Sequence, residues 1–175
     1  EYIKIVRENN DLLLQLISDI LDLSKIEAGT FEFTNGDVDV NLLCEDIVRS
    51  MRMKAKEEVE LLLDKHLPVC HLISDRNRIH QVISNFVNNA MKFTSKGSIH
   101  VGYELKEGEL EFYVKDSGIG IPAERVATIF QRFGKINDFV QGTGLGLTLC
   151  RMLVEKMGGR IWLRSCLLYT SDAAD

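Results

Sequence analysis

Several features that would assign a chain to a class at once are missing from this sequence. No apolar run approaches the length of a membrane span, and no signal peptide is visible. A formal net charge of −5 without any basic block argues against a nucleic-acid-binding surface. The cysteines lack the paired spacing of a zinc or redox site and suit a reducing cytosol; they are Cys44, Cys70, Cys150 and Cys166.

What remains is enough for one soluble globular domain. The chain has 175 residues, of which 45% are apolar and 27% charged, so it can bury one sizeable core. The function must therefore be sought in local motifs rather than in overall composition.

An asparagine-rich helix is the most informative stretch, and Asp75 is predicted to cap it. Asparagine is a poor helix former, so its repetition in one helix needs a reason. An amide oxygen can ligate Mg²⁺, a lysine can meet a phosphate, and an aromatic ring can pack on a base. A polar helix face turned to water is the alternative for this stretch alone. At about 100° per residue, one face carries Asn85, Asn89, Lys92 and Phe93. The opposite, apolar face is predicted to join the core: Ile79, Val82, Ile83, Phe86, Val87 and Ala90.

Two glycine-rich loops follow this helix. Residues 116–122 come after a strand-like run, and residues 141–147 open a second helical pattern. Glycines at a helix start let backbone N–H groups approach a phosphate closely. Neither loop is a Walker A motif, because no Gly-Lys-Ser/Thr follows, and neither fits a dinucleotide fingerprint. Each loop taken alone is explained as well by a turn as by a ligand site, whereas the ordered set is specific.

Together these segments resemble the four ATP-binding boxes of the sensor histidine kinases. That group lies within a wider ATPase superfamily that includes gyrase, heat-shock chaperone and mismatch-repair ATPases. Residues 85–93 match the N box, 116–120 the G1 box, 129–133 the F box and 142–147 the G2 box. All four occur in order with ordinary spacing, and the resemblance covers about residues 1–165.

The resemblance implies an α+β fold with one long helix in front. The expected architecture is a two-layer α/β sandwich of the Bergerat type, with a mixed sheet covered by helices on one face. Residues 1–29 would be the second helix of a dimerisation and phosphoacceptor hairpin. Residues 30–165 would be the ATPase domain, with the strand that usually follows the 159–165 strand missing. Residues 166–175 are similar to the translation of a sequencing-library adapter, so we interpret the chain as a gene fragment truncated at both ends.

Periodicity and turn signals predict the elements in more detail. A helix over residues 1–28 should stop at Gly29. Residues 30–40 are predicted to be strand, broken by a hairpin-type turn at residues 35–36. Asn41 is predicted to cap the following helix. The remaining predictions are a strand at 59–63, an extended piece at 68–73, a β-hairpin of 98–105 and 109–116, and a lid at 118–141 with a short helix at 123–130.

The resemblance also implies a role for each residue of the asparagine-rich helix. Asn89 would ligate Mg²⁺, with Asn85 supporting the metal–phosphate assembly. Lys92 would contact a phosphate, and Phe93 would pack near the base or ribose. Asp116 would accept a hydrogen bond from the adenine amino group, which selects adenine over guanine; a rigid, partly buried carboxylate would suit this task.

The glycine loops complete the implied ATP site. Gly118 and Gly120 would keep the backbone close to the base. Gly142, Gly144 and Gly146 would let the lid hinge and would present N–H groups to the phosphates. The predicted set also contains their neighbours Ile121, Thr143, Leu145 and Leu147. Two aromatic residues would anchor the lid, although ordinary core aromatics fit them equally well: Phe130 and Phe133.

The implied enzyme is a protein-histidine kinase that uses ATP and Mg²⁺. It would transfer the γ-phosphoryl group to a histidine and then to an aspartate of a response regulator. None of the chain's histidines has the family's His-Glu/Asp-x-Arg/Asn-Thr-Pro context, and no Thr-Pro pair occurs; they are His66, His71, His80 and His100. We therefore expect the chain to lack its phosphoacceptor and not to autophosphorylate.

The implied partners are a second copy and a response regulator receiver domain. The full-length protein would be a homodimer through the N-terminal helix hairpin, without contact of this fragment with nucleic acid or membrane. Its expected location is the cytoplasm, with a parent protein either free or anchored in the inner membrane. Two alternatives stay open: a superfamily ATPase that acts as a conformational clamp without phosphotransfer, and a nucleotide-binding module that has lost catalysis. The Leu-Ser-Lys-Ile-Glu-Ala-Gly stretch argues against the first, and Asn89 and Asp116 argue against the second.

Overall fold

The computed structural model describes residues 2–64, 66–131 and 144–165. The chain divides into two compact units, and each is described by itself. The first unit comprises Glu1–Phe33 and Glu124–Trp162, and the second comprises Thr34–Ala123 and Leu163–Asp175.

The second unit contains two sheets. In the smaller sheet, β1 (Gly36–Asp39) pairs antiparallel with β3 (His71–Ser74). In the larger sheet, β4 (Gly97–Lys106) lies between β2 (Val59–Leu63), to which it is parallel, and β5 (Glu109–Asp116), to which it is antiparallel. The larger sheet is therefore mixed, as predicted.

The hairpin of β4 and β5 is confirmed, together with its turn. Glu107 has a φ of 51° and Gly108 a φ of 84°. Positive φ at both central residues is the geometry of a tight two-residue hairpin turn, and glycine adopts it without steric cost. The turn sets a register in which Ile99 of β4 lies opposite Asp116 at the end of β5.

The core of this unit lies between the larger sheet and two helices, α2 (Val40–Arg52) and α3 (Arg76–Phe93). Alternate residues of β4 face it, as expected for a strand covered on one face: Ile99, Val101 and Tyr103 are buried. The α2 helix contributes a buried stripe at helical spacing: Val40, Leu43, Cys44, Ile47, Val48 and Met51. The predicted α+β class, with helices packed on a mixed sheet, is confirmed.

Two local predictions before α2 are wrong. Within the described residues, 30–35 form no strand, and the extended segment begins only at Gly36. The helix is capped by Asp39, whose carboxylate accepts from the Leu42 N–H at 3.1 Å, and not by Asn41. Asn41 instead makes long-range bonds: its Nδ2 donates to the Leu67 carbonyl, and its Oδ1 accepts from a tyrosine hydroxyl. Tertiary contacts therefore outweigh its local capping preference.

The first unit contains two longer helices, α1 (Tyr2–Glu27) and α5 (Gly146–Lys156), and these contact each other. The predicted stop of α1 is confirmed, since Gly29 has a φ of +71°, the left-handed conformation that ends many helices. Asp19 of α1 is buried, which raises its pKa, although the Gln15 amide donates to its carboxylate at 2.7 Å. The predicted short helix is confirmed only in part, as α4 (Ala123–Val126).

The C-terminal predictions have mixed outcomes. Residues 159–165 lie in the described part of the chain and form no strand there. Several predictions fall outside the described residues: the lid from residue 132 onward and part of the G2 box, with Phe133, Gly142 and Thr143, and the segment 166–175.

No helix among the described residues combines the length and the apolar character needed to cross a membrane.

Candidate functional site

The asparagine-rich helix α3 is fixed at its start by Asp75. Oδ1 of Asp75 accepts from the N–H groups of Asn77 at 3.0 Å and Arg78 at 3.2 Å, while Oδ2 accepts from the Thr34 N–H at 2.9 Å. This confirms the predicted cap and satisfies donors that the helix itself leaves unpaired. The predicted apolar face is buried except for Phe86, which is half-buried: Ile79, Val82, Ile83, Val87 and Ala90.

The opposite face of α3 brings the two amides together. Nδ2 of Asn89 donates to Oδ1 of Asn85 at 3.1 Å, and both side chains are half-buried. This bond uses one N–H of Asn89, and the Asn89 oxygen, the amide atom that can ligate a metal, accepts no hydrogen bond from the residues that the structure describes. The pair is therefore an oriented amide surface rather than two independent polar side chains.

Lys92 and Phe93 follow on the last turn of α3. Lys92 is an exposed residue, yet the neighbouring protein partly desolvates its ammonium group and lowers its pKa. An anion placed beside this ammonium would favour its charged form. Phe93 is half-buried, which leaves part of its ring available for a stacking contact.

Asp116 ends β5 and begins the first glycine loop. Its Oδ1 accepts from the Gly118 N–H at 2.9 Å, which fixes one carboxylate oxygen. The side chain is exposed, so the expectation of a partly buried carboxylate is wrong for the protein alone. A strand end at the rim of a sheet lacks neighbours on one side, which leaves the Asp116 carboxylate accessible to a bound molecule.

Gly118 packs tightly between the loop and the end of α3. A Cβ there would lie 2.5 Å from the Phe93 carbonyl oxygen and 2.8 Å from Oδ1 of Asp116, so no other residue fits without a shift. The Ile119 N–H donates to the same Phe93 carbonyl at 3.2 Å, which ties the loop to the helix. Gly120 has a φ of 75°, a conformation that glycine adopts at little steric cost.

The loop is held further along by a side-chain contact. The Ile121 N–H donates to Oγ of Ser165 at 2.7 Å. This bond fixes the backbone directly after Gly120.

The described part of the second glycine loop lies in the first unit. Gly144 has a φ of 69°, and Gly146 is the first residue of α5. Leu145, at the N-cap position, is buried and carries no acceptor oxygen, so its side chain cannot cap the first N–H groups of the helix. Oγ1 of Thr148 donates to the Phe130 carbonyl at 3.1 Å, which joins this helix start to the F-box segment.

The structure therefore groups part of the predicted set directly. The amide pair, Lys92 and Phe93 lie on α3, and the Phe93 carbonyl joins them to the loop of Asp116 and Gly118. Sequence reasoning missed Thr94, which is buried beside this loop, and Ser165. Thr94 directly follows the N box at the helix end, and this position was the only available signal.

The available ligand atoms suit a magnesium ion whose charge is balanced mainly by a bound phosphate. Among the residues that the structure describes, no three His, Cys, Asp or Glu side chains are grouped to hold a metal by themselves. A neutral amide oxygen such as that of Asn89 is a ligand that Mg²⁺ accepts alongside waters and phosphate oxygens.

Comparison with known proteins gives a family. The family described as histidine kinase-, DNA gyrase B-, and HSP90-like ATPase matches residues 74–171. This range contains the asparagine-rich helix and both glycine loops.

Curated relatives are similar over almost the whole chain. Two-component system protein A of Emericella nidulans is 36% identical over 174 residues, which cover 92% of this chain and 25% of the relative. The circadian input-output histidine kinase CikA of Synechococcus elongatus is 36% identical over 173 residues, covering 94% of this chain and 23% of the relative. The chain spans about a quarter of the length of these relatives.

Solved structures share the fold. Full-length ShkA in complex with AMPPNP is 29% identical with a TM-score of 0.75, over 94% of this chain and 36% of that one. The ThkA catalytic domain is 32% identical with a TM-score of 0.66, over 75% of this chain and 86% of that one. ThkA in complex with the response regulator TrrA is 25% identical with a TM-score of 0.71, over 92% of this chain and 46% of that one. The chain belongs to the histidine kinase-, DNA gyrase B- and HSP90-like ATPase family, as a histidine kinase catalytic domain.

Proposed function

We propose that this chain binds Mg·ATP as the catalytic part of a sensor histidine kinase. The enzyme transfers the γ-phosphoryl group to a histidine other than the four in this chain, and then to an aspartate of a response regulator. The observation that carries the proposal is the junction at the Phe93 carbonyl. There the amide face of α3 meets the loop of Asp116 through the Ile119 N–H bond of 3.2 Å.

The loop is suited to select adenine. Asp116 holds one oxygen against the Gly118 N–H and leaves the other to accept a hydrogen bond from the exocyclic amine of the base. Guanine presents a carbonyl oxygen at that position, which a carboxylate repels. The missing Cβ of Gly118 lets the loop pack closely against the end of α3, and the half-buried Phe93 ring offers an apolar contact.

The amide face of α3 is suited to hold the triphosphate. The Asn89 oxygen would ligate a magnesium ion, and Asn85 orients the Asn89 amide through the 3.1 Å bond. Such an ion would supply neutralisation of the phosphate charge. Lys92 adds a positive charge. The second glycine loop, considered by itself, has the glycines and the helix start that favour phosphate contact through backbone N–H groups; its proposed members are Gly142, Thr143, Gly144, Leu145, Gly146 and Leu147.

The partners follow from α1 and from the relatives. Much of the apolar surface of α1 is exposed, and a second copy would cover it in a helical bundle, giving a homodimer. The solved complex of ThkA with TrrA supports a response regulator as the recipient of the phosphoryl group. We place the chain in the cytoplasm because both nucleotide and regulator are found there.

Phosphohistidine formation tests the proposal. Incubated alone with Mg·ATP, the chain should acquire no acid-labile label, because its histidines lack the placement that phosphoryl transfer requires. A related chain that carries the histidine-bearing helix should become labelled on histidine when this chain is added. Label on His66, His71, His80 or His100 would contradict the proposal, whereas ATP turnover without any phosphohistidine would favour the conformational clamp.

A further inference from the structure

A buried hydroxyl beside the first glycine loop has no evident task in the protein alone. Thr94 ends α3 and is 0% exposed. Its Oγ1 is buried and has no hydrogen-bond partner among the residues that the structure describes. A buried polar group without a partner is unfavourable, so its presence calls for a state in which it is satisfied.

The Thr94 hydroxyl and the Asp116 carboxylate lie beside the same glycine, Gly118. The position that a Cβ of Gly118 would occupy is 2.9 Å from Oγ1 of Thr94 and 2.8 Å from Oδ1 of Asp116. The Phe93 carbonyl oxygen is 2.5 Å from that position. Three oxygens therefore surround one glycine, and only the threonine hydroxyl has a hydrogen to donate.

Of the two acceptors, Asp116 is the one that can move. The Phe93 carbonyl is part of the backbone and already accepts from the Ile119 N–H at 3.2 Å. The Asp116 carboxylate is on an exposed side chain that accepts from the Gly118 N–H. The two groups both lie within 3 Å of the position of a Gly118 Cβ, so the movement needed to join them is that of side chains and not of the backbone. A hydrogen bond from a hydroxyl to a charged carboxylate is also stronger than one to a neutral carbonyl.

We propose that Thr94 is a positioning residue for Asp116, whose carboxylate accepts the Thr94 hydroxyl once a nucleotide is bound. With Gly118 and Thr94 both donating, one side of the carboxylate is fixed, and the other side faces the amine of the base. This inference rests on the proposed function and adds a residue that sets its selectivity for adenine.

Two threonine variants and one double variant test it. Thr94→Val removes the hydroxyl and keeps the branched shape, whereas Thr94→Ser keeps the hydroxyl. In calorimetric titrations with AMPPNP and Mg²⁺, Thr94→Val should weaken binding about three- to tenfold, the loss expected for one hydrogen bond. Thr94→Ser should retain most of the affinity. Thr94→Val should also reduce the preference for ATP over GTP, and it should not lower the unfolding temperature without nucleotide.

The double variant separates positioning from general packing. In an Asp116→Asn background, Thr94→Val should cause little further loss, because its effect acts through the carboxylate. Wild-type affinity in Thr94→Val, or an equal loss with and without Asp116, would overturn the inference. If Thr94→Val proves unstable, the difference between Thr94→Ser and Thr94→Ala isolates the hydroxyl. Absence of nucleotide binding by the unaltered chain would instead refute the proposed function.

Discussion

The helices α1 and α3 expose opposite kinds of surface. In α3, with 18 residues, the apolar face is buried and the exposed side carries asparagines and lysine. In α1, with 26 residues, Leu23 and Ile26 are buried, yet many large apolar side chains remain exposed. They include Leu13, Leu14, Ile17, Ile20 and Leu21.

The difference shows what each helix leaves for a binding partner. A half-buried amide face on which the Asn85 oxygen already accepts a bond from Asn89 offers the Asn89 oxygen to a polar ligand such as a metal-bound phosphate. An exposed apolar stripe suits another protein surface, because covering it removes apolar area from water. Both helices have apolar residues at helical spacing, and burial shows which of these residues each helix leaves exposed.

Alanine substitutions at one isoleucine in each helix should show the largest difference between the two helices. Ile83 of α3 is 3% exposed and Ile17 of α1 is 47% exposed. Ile83→Ala should cost about 2–5 kcal/mol of unfolding free energy through lost burial and a cavity. Ile17→Ala should change it by less than about 0.5 kcal/mol in the monomer. Denaturant unfolding at low protein concentration measures both. Equal losses would mean that α1 is packed as tightly as α3.

The carboxylate beside α3 should give the next largest effect. Asp116→Asn replaces an acceptor facing the adenine amine with an amide, and should cost about 1.5–3 kcal/mol, tenfold or more in ATP affinity. Asp11→Asn on α1 is a matched control that keeps wild-type binding. Titration with ATP measures both variants, and unchanged affinity in Asp116→Asn would remove the assigned role.

The Asp75 cap of α3 should contribute measurably to the stability of the fold. Asp75→Ala removes acceptors of three backbone N–H groups, from Thr34, Asn77 and Arg78, and should cost about 0.5–2 kcal/mol. Asp75→Asn keeps one acceptor oxygen and should lose less. Thermal unfolding ranks the three proteins. An Asp75→Asn variant as unstable as Asp75→Ala would show that the carboxylate charge matters more than the cap geometry.

A polar cluster on the larger sheet provides the smallest effect and a contrast with the amide face. Oδ1 of Asp64 accepts from His100 Nδ1 at 2.7 Å, and Oδ2 accepts from the Tyr113 hydroxyl at 2.8 Å. The tyrosine ring reaches over Gly102, where a Cβ would be 2.5 Å from the hydroxyl oxygen. Unlike the Asn89 oxygen, this carboxylate is committed to bonds within the protein. Tyr113→Phe should therefore destabilise the fold, by about 0.5–1.5 kcal/mol, without changing nucleotide affinity.

The same cluster predicts a pH dependence. The His100 hydrogen bond, assisted by that from Tyr113 and the Lys115 charge, outweighs the opposing effect of burial and holds the Asp64 pKa below its ordinary value of 3.8. Its contribution to stability is therefore complete above that value and is lost as pH falls through the lowered pKa. Asp64→Asn should flatten this acid limb in a stability profile. An unchanged acid limb would contradict the assignment.

Much of the fold could be predicted from the sequence where local signals agree with packing. The α3 helix has a capping aspartate, an apolar stripe and a polar face that all indicate one structure, and its predicted role for Asp75 is confirmed. The hairpin of β4 and β5 has alternation on both strands and a turn glycine. These elements can be predicted without knowing which residues distant in the sequence they contact.

The failures lie where distant contacts decide. Asn41 has the chemistry of a cap, but the Leu67 carbonyl and the Tyr103 hydroxyl bind its amide instead. Residues 30–40 have strand-like alternation, yet pairing with β3 begins only at Gly36. The exposure of Asp116 and the burial of the Thr94 hydroxyl depend on how the helix end meets the loop, which spacing cannot reveal.

The central claim is that the amide face of α3 holds a magnesium-bound triphosphate, and one titration series tests it most directly. AMPPNP and adenosine are titrated into the unaltered chain and Asn89→Ala, each with Mg²⁺ and with a chelator. Asn89→Ala should lose the magnesium-dependent part of AMPPNP affinity and keep its adenosine affinity, because Asp116 and Gly118 are untouched. Equal losses with and without Mg²⁺, or an equal loss for adenosine, would contradict the account.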